Sequence, residues 1–291
     1  MTTSKRKKSS SGLNNFRTPL RYPGGKSRAV SKLYNWFPQG MTEYREPFLG
    51  GGSMAIYLTK NHHNLKIWVN DLYEPLANFW IELRDETEYI FKQLQQLKSR
   101  YSDPASAKGL FLDAKTQVND GTLDPKDRAV AFYILNKCSF SGLSESSSFS
   151  KQASDSNFSM RGIEKLPHYG LLIKNWKITN LSYQELMGGD GAVIYLDPPY
   201  EIGSNLYGKK GAMHSNFDHD QVATTCAQSE QQLIVSYNNS QMIKDRFKNF
   251  QVGEFDLTYT MRSVGSYMSN QKERKELVLT CLLYTSPSPR D

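Results

Sequence analysis

Short strand-like runs that end on glycine or on an acid, each followed by a helical pattern, constrain the fold of this chain more than anything else in it. Glu43 to Phe48 closes on Gly50-Gly51-Gly52, and a helix is predicted from Ser53 to Lys60 with Ser53 as its N-cap. "LKIWVND" closes on Asn70-Asp71, and Leu72, Leu76, Phe79 and Leu83 then recur at helical spacing in a stretch reaching Tyr101. "NWKITNLS", "GAVIYLDPPY", a helix from about Asp218 and "QLIVSYNN" resume the rhythm, and "FQVGEFDLTYT" and "KELVLTC" read as a closing strand pair. Strand–helix alternation of this kind predicts an α/β fold, a largely parallel, Rossmann-like sheet with helices on both faces. Ligands in such sheets bind at the carboxyl ends of the strands.

The rhythm stops over residues 102–170. "DRAVAFYILNKCSF" reads there as a helix and "SGLSESSSFSKQASDSNFS" as a long polar loop, of a kind more often functional or mobile than packed. The expected organisation is a basic, disordered tail (1–15), a catalytic domain in two pieces (16–101 and 171–281), a mainly helical insertion (102–170) and a Ser-Pro tail (282–291) without function.

Of the net charge of +7, Lys5, Arg6, Lys7 and Lys8 supply four in the first tail, so charge alone does not name a polyanionic partner. No apolar run is long enough for a membrane span, and no apolar segment follows the basic start, so no membrane association or secretion is expected. Cys138, Cys226 and Cys281 form no CxxC pair, which fits a reducing, cytoplasmic location. His62, His63, His168, His214 and His219 show no ligand spacing, and no metal is expected.

"RYPGGKS" ends like a phosphate-binding loop, but that motif needs glycine where Leu20 stands and a buried strand ahead of it. "EPFLGGGS" is a better nucleotide-fold signal, because glycines there let the backbone approach a ligand. Asp71 follows at roughly the 20-residue spacing of an acid that binds ribose hydroxyls. Asp197-Pro198-Pro199-Tyr200 carries the chemistry. Two prolines remove two N–H donors and leave an acceptor-rich corner. A carboxylate and the Pro198 carbonyl can accept the two hydrogens of an exocyclic amine, with Tyr200 stacked on the ring face. Held in this way, the amine nitrogen can pyramidalise and attack an electrophile in line.

In this order "RYPGGK", "EPFLGGGS", "NDL" and "DPPY" resemble the Dam-like family of N6-adenine-specific DNA methyltransferases, over residues 16 to 281. The resemblance implies a methyltransferase sheet of the DPPY type with an inserted target-recognition domain, S-adenosylmethionine as cofactor and double-stranded DNA as partner, with no obligate protein partner. It implies cofactor contacts from Tyr22, Gly25, Lys26 (toward the methionine carboxylate), Phe48, Gly50, Gly51, Gly52, Asp71, Tyr183 and Asp197, and a catalytic corner of Asp197, Pro198 and Tyr200. "LNKCSFSGL" resembles the segment that enters DNA, which makes Asn136, Lys137, Ser139, Ser141 and Gly142 candidate DNA contacts. Lys272, Arg274 and Lys275 either approach phosphate or form a solvated hairpin. GATC-reading members carry an arginine after the Gly-Leu pair, where this chain has Ser144-Glu145-Ser146-Ser147, so the resemblance does not extend to GATC readout. Cytosine N4 presents a similar amine, and a catalytically silent DNA-binding homologue is the reading from another class.

Overall fold

The computed structural model describes residues 17–22, 25–140, 147–200, 217–256 and 275–281. Seven strands form one sheet: β1 (Glu43–Glu46), β2 (Lys66–Asn70), β3 (Lys177–Thr179), β4 (Ala192–Leu196), β5 (Gln232–Asn238), β6 (Gln251–Asp256) and β7 (Lys275–Thr280), in the order β3-β2-β1-β4-β5-β7-β6. The first five in that order run parallel, and β7 enters antiparallel between β5 and β6. The α/β sheet and the closing strand pair expected from the sequence are both present. β4 reads "AVIYL" and is buried along its whole length, as a central parallel strand covered on both faces must be.

The order of strands reverses between β1 and β4, so the turns after them open side by side at the carboxyl edge. Two apolar clusters cover the sheet. One gathers Tyr44, Val69, Val193, Tyr195, Ile234 and Val278 with helices on that face; the other gathers Ile194, Leu196, Val235, Tyr237, Leu277 and Leu279 with α10 (His219–Gln228) and α11 (Gln241–Arg246).

Local structure departs from expectation in three places. The helix after β1, α2 (Ser53–Asn61), is capped by Gly52 at φ 66°, while the Ser53 hydroxyl meets Ser27 at 2.8 Å. The Glu46 carboxylate accepts the Ala55 amide at 3.2 Å and so does the work expected of a capping hydroxyl. The predicted helix from 72 to 101 is two helices, α3 (Glu74–Asp85) and α4 (Thr87–Arg100), broken at Glu86 with φ −120°. The Thr87 hydroxyl turns back onto the Leu83 carbonyl at that break. Pro104–Gln117 is helical (α5), with Asp103 accepting the amides of Ala105 and Ser106.

The polar run after α6 (Pro125–Cys138) is less loop-like than expected. Ser150 caps a short helix, α7 (Lys151–Ser156), by accepting the Ala153 amide, and Ser159 caps α8 (Met160–Ile163) through Gly162. Serines that read as loop residues are here helix caps. α9 (Leu166–Leu172) then leads back to β3. Helix α6 packs on α3 and α5 packs on α6, and Phe111, Phe132 and Tyr133 share one core with Phe79, Trp80 and Tyr44. Among the described residues no helix is long and apolar enough to cross a membrane.

Candidate active site

The turn after β1 carries Gly50 at φ 50° and Gly52 at φ 66°, left-handed values that a side chain resists. A methyl carbon on Gly50 would lie 2.9 Å from the Tyr22 ring, and one on Gly52 would lie 3.0 Å from Trp80. Tyr22 therefore packs directly on this turn, and Thr18 donates its hydroxyl to the Gly51 carbonyl. Trp80 holds the same turn from below, its indole N–H donating to the Gly50 carbonyl at 3.1 Å. Gly25 makes a tight turn with Tyr22, its amide donating to the Tyr22 carbonyl at 3.1 Å.

Asp71 ends β2 beside that turn. Its Oδ2 accepts the Gly50 amide at 2.8 Å and its Oδ1 accepts the Tyr73 amide at 3.0 Å. Burial pushes its pKa up to about 6, against the opposing pull of those two amides. Asn70 lies under it, wholly buried, donating to the Pro47 and Leu181 carbonyls and accepting from Leu181 and Thr179. Phe48 stacks on Tyr183 with ring centres 5.4 Å apart and meets Phe217 edge-on, giving the turn an aromatic wall.

Asp197 stands where β4 ends. Its two oxygens receive the Lys26 ammonium at 2.8 and 2.9 Å, and Ser236 of β5 donates to Oδ1 at 2.7 Å. Tyr195 and Ser236 are joined through their hydroxyls at 2.9 Å. The Lys26 ammonium also lies 3.7 Å from Glu276 of β7 and 4.7 Å from the centre of the Tyr200 ring. Burial works against a charge on Lys26, but Asp197 and Glu276 outweigh it and hold its pKa well above the usual range. Tyr200 stacks on Tyr237, and Pro198 is buried.

The family resemblance points Lys26 toward a cofactor carboxylate; in the structure it meets two carboxylates of the chain itself. Glu46, Ser236 and Glu276 were not singled out from sequence. The one available signal was an acid at a strand end, in "EPF" at the close of one strand and in "KEL" at the start of another. Burial and Asp197 push Glu46 up to about 8 and Glu276 up to about 7, against the hydrogen bond from Tyr44 and the charge of Lys26 respectively. A single ammonium is thus shared between two acids, Asp197 and Glu276.

On the insertion side, Asn136 and Ser139 are 3% and 0% exposed. Asn136 accepts the Arg21 amide at 2.9 Å and donates to the Arg21 carbonyl at 2.6 Å, while the Arg21 guanidinium donates to the Ser139 carbonyl at 2.8 Å. Ser139 gives its hydroxyl to the Asn136 carbonyl. These two expected DNA contacts spend their polar atoms on the chain. Lys137 is half-buried, and desolvation beside Arg21 pulls its pKa down to about 7. Ser141, Gly142, Lys272 and Arg274 lie outside the described residues, as does the side chain of Lys275. Among the described residues no His, Cys, Asp and Glu group could hold a metal ion.

Residues 22–261 match the D12 class N6 adenine-specific DNA methyltransferases. Similar curated proteins include the Type II methyltransferase M1.LlaDCHI of Lactococcus lactis subsp. cremoris, 22% identical over 91% of this chain and 95% of that one. The DNA N-6-adenine-methyltransferase of an Escherichia phage is 28% identical over 66% of this chain and 25% of its own length. The DNA adenine methylase of Haemophilus influenzae is 25% identical over 43% of this chain and 41% of its own.

Proposed function

The chain belongs to the D12 class of N6 adenine-specific DNA methyltransferases, and from that premise we propose a division of labour among its residues. S-adenosylmethionine, which the family uses in general, supplies an electrophilic methyl group when bound. The turn Gly50–Gly52 suits it because positive φ and missing side chains leave the backbone open to close approach. Asp71 is assigned to the ribose hydroxyls: its two amide bonds hold the carboxylate at the strand end and leave lone pairs over. Phe48 and Tyr183 are assigned to the adenine edge of the cofactor, and Tyr22 and Gly25 to the rim of the same turn.

The observation that carries the reading is the presentation of Asp197. Among the described residues its Oδ1 accepts from both Lys26 and Ser236, whereas Oδ2 accepts from Lys26 alone. Oδ2 is therefore the oxygen with capacity for a hydrogen of the target amine, and the Pro198 carbonyl takes the other hydrogen. With both hydrogens held, the nitrogen lone pair leaves the ring π-system and points at the methyl group. Tyr200 stacks on the target base. Inside a duplex that amine is out of reach, so the adenine is turned out of the stack into this corner.

The helical insertion 102–170 is assigned to target recognition. Lys137 is placed toward phosphate, while Asn136 and Ser139 act from beneath by fixing Arg21. The test is transfer of labelled methyl from S-adenosylmethionine to duplex DNA, followed by nucleoside analysis. N6-methyladenine is expected with the wild-type chain, and a loss of at least ~100-fold with Asp197→Ala, the scale of removing one positioned polar group at a reacting centre. N4-methylcytosine as the product, or full activity in Asp197→Ala, would overturn the assignment.

A further inference from the structure

We propose that Glu276 is a positioning residue for methyl transfer: it fixes the Lys26 ammonium and, through Lys26, the orientation of the Asp197 carboxylate. The inference rests on the catalytic reading above and adds a residue that reading does not use.

A lysine alone orients nothing. Its ammonium is a compact charge on a flexible stem, with donors that rotate freely. Lys26 joined only to Asp197 would move with Asp197 and fix nothing. A second carboxylate on a rigid element turns it into a post. Glu276 is that carboxylate: 2% exposed, on a sheet strand, with Oε2 3.7 Å from the ammonium.

Register explains the placement. Glu276 of β7 pairs with Asn238 of β5, and Ser236 lies two residues back along β5, on the same face of the sheet. Neighbouring strands thus hold Asp197 twice, directly through the Ser236 hydroxyl and indirectly through Glu276 and Lys26. Burying another acid beside Asp197 is costly, and a well-packed apolar residue would serve stability as well or better. The cost makes sense where the charge has work to do. The Tyr200 ring lies 4.7 Å from the same ammonium, so the post also borders the expected face for the target base.

The groups facing Glu276 are Lys26 from the segment before α1 (Val30–Leu33), and Asp197 and Tyr200 from beyond β4. Glu46 of β1 and Tyr195 of β4 act on the same field through Asp197 and Lys26. Burial and Asp197 raise the Glu276 pKa to about 7 while Lys26 opposes them, so a proton arriving on Glu276 below that pH loosens the post.

Glu276→Gln removes the charge and keeps the volume. The expected result is a fall in kcat of at least ~10-fold, with the KM for S-adenosylmethionine changed by less than ~2-fold, as for an interaction realised in the transition state. The acid limb of the wild-type kcat profile near pH 7 should vanish in the variant, and Glu276→Asp should recover part of the rate. Lys26→Met combined with Glu276→Gln should be no slower than Lys26→Met alone, because Glu276 acts through Lys26. A wild-type rate and pH profile in Glu276→Gln, or full additivity in the pair, would overturn the inference. If Glu276→Gln does not fold, Glu276→Asp decides: a wild-type kcat overturns the inference, and a lowered kcat at unchanged KM supports it. No label on adenine with the wild-type chain sinks both readings, whereas adenine label with equal rates for wild type and Glu276→Gln sinks only this one.

Discussion

Glu46 is the last residue of β1, 3% exposed, and a single oxygen of its carboxyl group receives both the Tyr44 hydroxyl (2.7 Å) and the Ala55 amide (3.2 Å). Burial raises its pKa from 4.5 to about 8, against those two hydrogen bonds and with the help of Asp197. In the unfolded chain the group gives up its proton near 4.5, so between there and about 8 the native state holds more protons than the unfolded one. Stability from this residue is fully present below the lower value and is lost as pH rises toward the upper one. Glutamine offers one amide oxygen that can accept both bonds and carries no charge at any pH. Glu46→Gln is therefore expected to flatten the decline in Tm between pH 5 and 8, by about 2–4 °C for each kcal/mol recovered in a chain of this size. Melting curves across that range check it, and parallel wild-type and variant curves would show that Glu46 titrates alike in the folded and unfolded states. The same balance of burial against a few donors separates Glu46, Asp71 and Glu276, which is how one small space holds acids of different proton affinity.

At the scale of elements, the segment 17–22 joins two parts of the molecule that are far apart in sequence. Thr18 and Tyr22 engage the glycine turn after β1, and Arg21 is held by both side-chain polar atoms of Asn136 near the end of α6. Asn136→Ala leaves the Arg21 amide and carbonyl without these partners, at an expected cost of about 2 kcal/mol or more for two hydrogen bonds. Denaturant titration should show that loss. Hydrogen exchange should show the Arg21 amide losing protection, and unchanged exchange there would refute the bridging role. None of this was legible in the sequence, where Asn136 read only as a residue of a DNA-entering segment. The strands and the glycine turn were legible because period, apolarity and turn chemistry are local properties. The break at Glu86 was not, since helical periodicity runs through it and the Thr87 hydroxyl decides it. Asp197 and Asp71 announced themselves by standing at strand ends, whereas Ser236 enters the site through the pairing of β5 with β4 and Glu276 through that of β7 with β5, registers no single segment carries.

At the scale of the whole molecule, the question is whether the insertion 102–170 behaves as a unit of its own. Its helices do not close a separate core. Phe111 of α5 and Phe132 and Tyr133 of α6 join the cluster that contains Phe79 and Trp80 of α3 and Tyr44 of β1. Phe79 stacks on Tyr133 at 6.0 Å and meets Phe132 at 5.6 Å, so α3 lies between sheet and insertion and belongs to both. Removing the insertion would bare that face of α3, and apolar area lost to water costs roughly 25 cal/mol per Å². The expectation is one cooperative unfolding transition for sheet and insertion together. The sequence supplies a way to see it. All four tryptophans, Trp36, Trp68, Trp80 and Trp176, lie outside 102–170, so their fluorescence reports the sheet and its covering helices. Far-ultraviolet circular dichroism draws much of its helical signal from α5 to α9. Superimposable urea curves by the two probes are expected, with a deletion of 102–170 that shows no cooperative transition. Separated midpoints, or a deletion that still melts cooperatively, would show that the insertion is an independent domain rather than part of the shared core that also supports the turn beside Asp197.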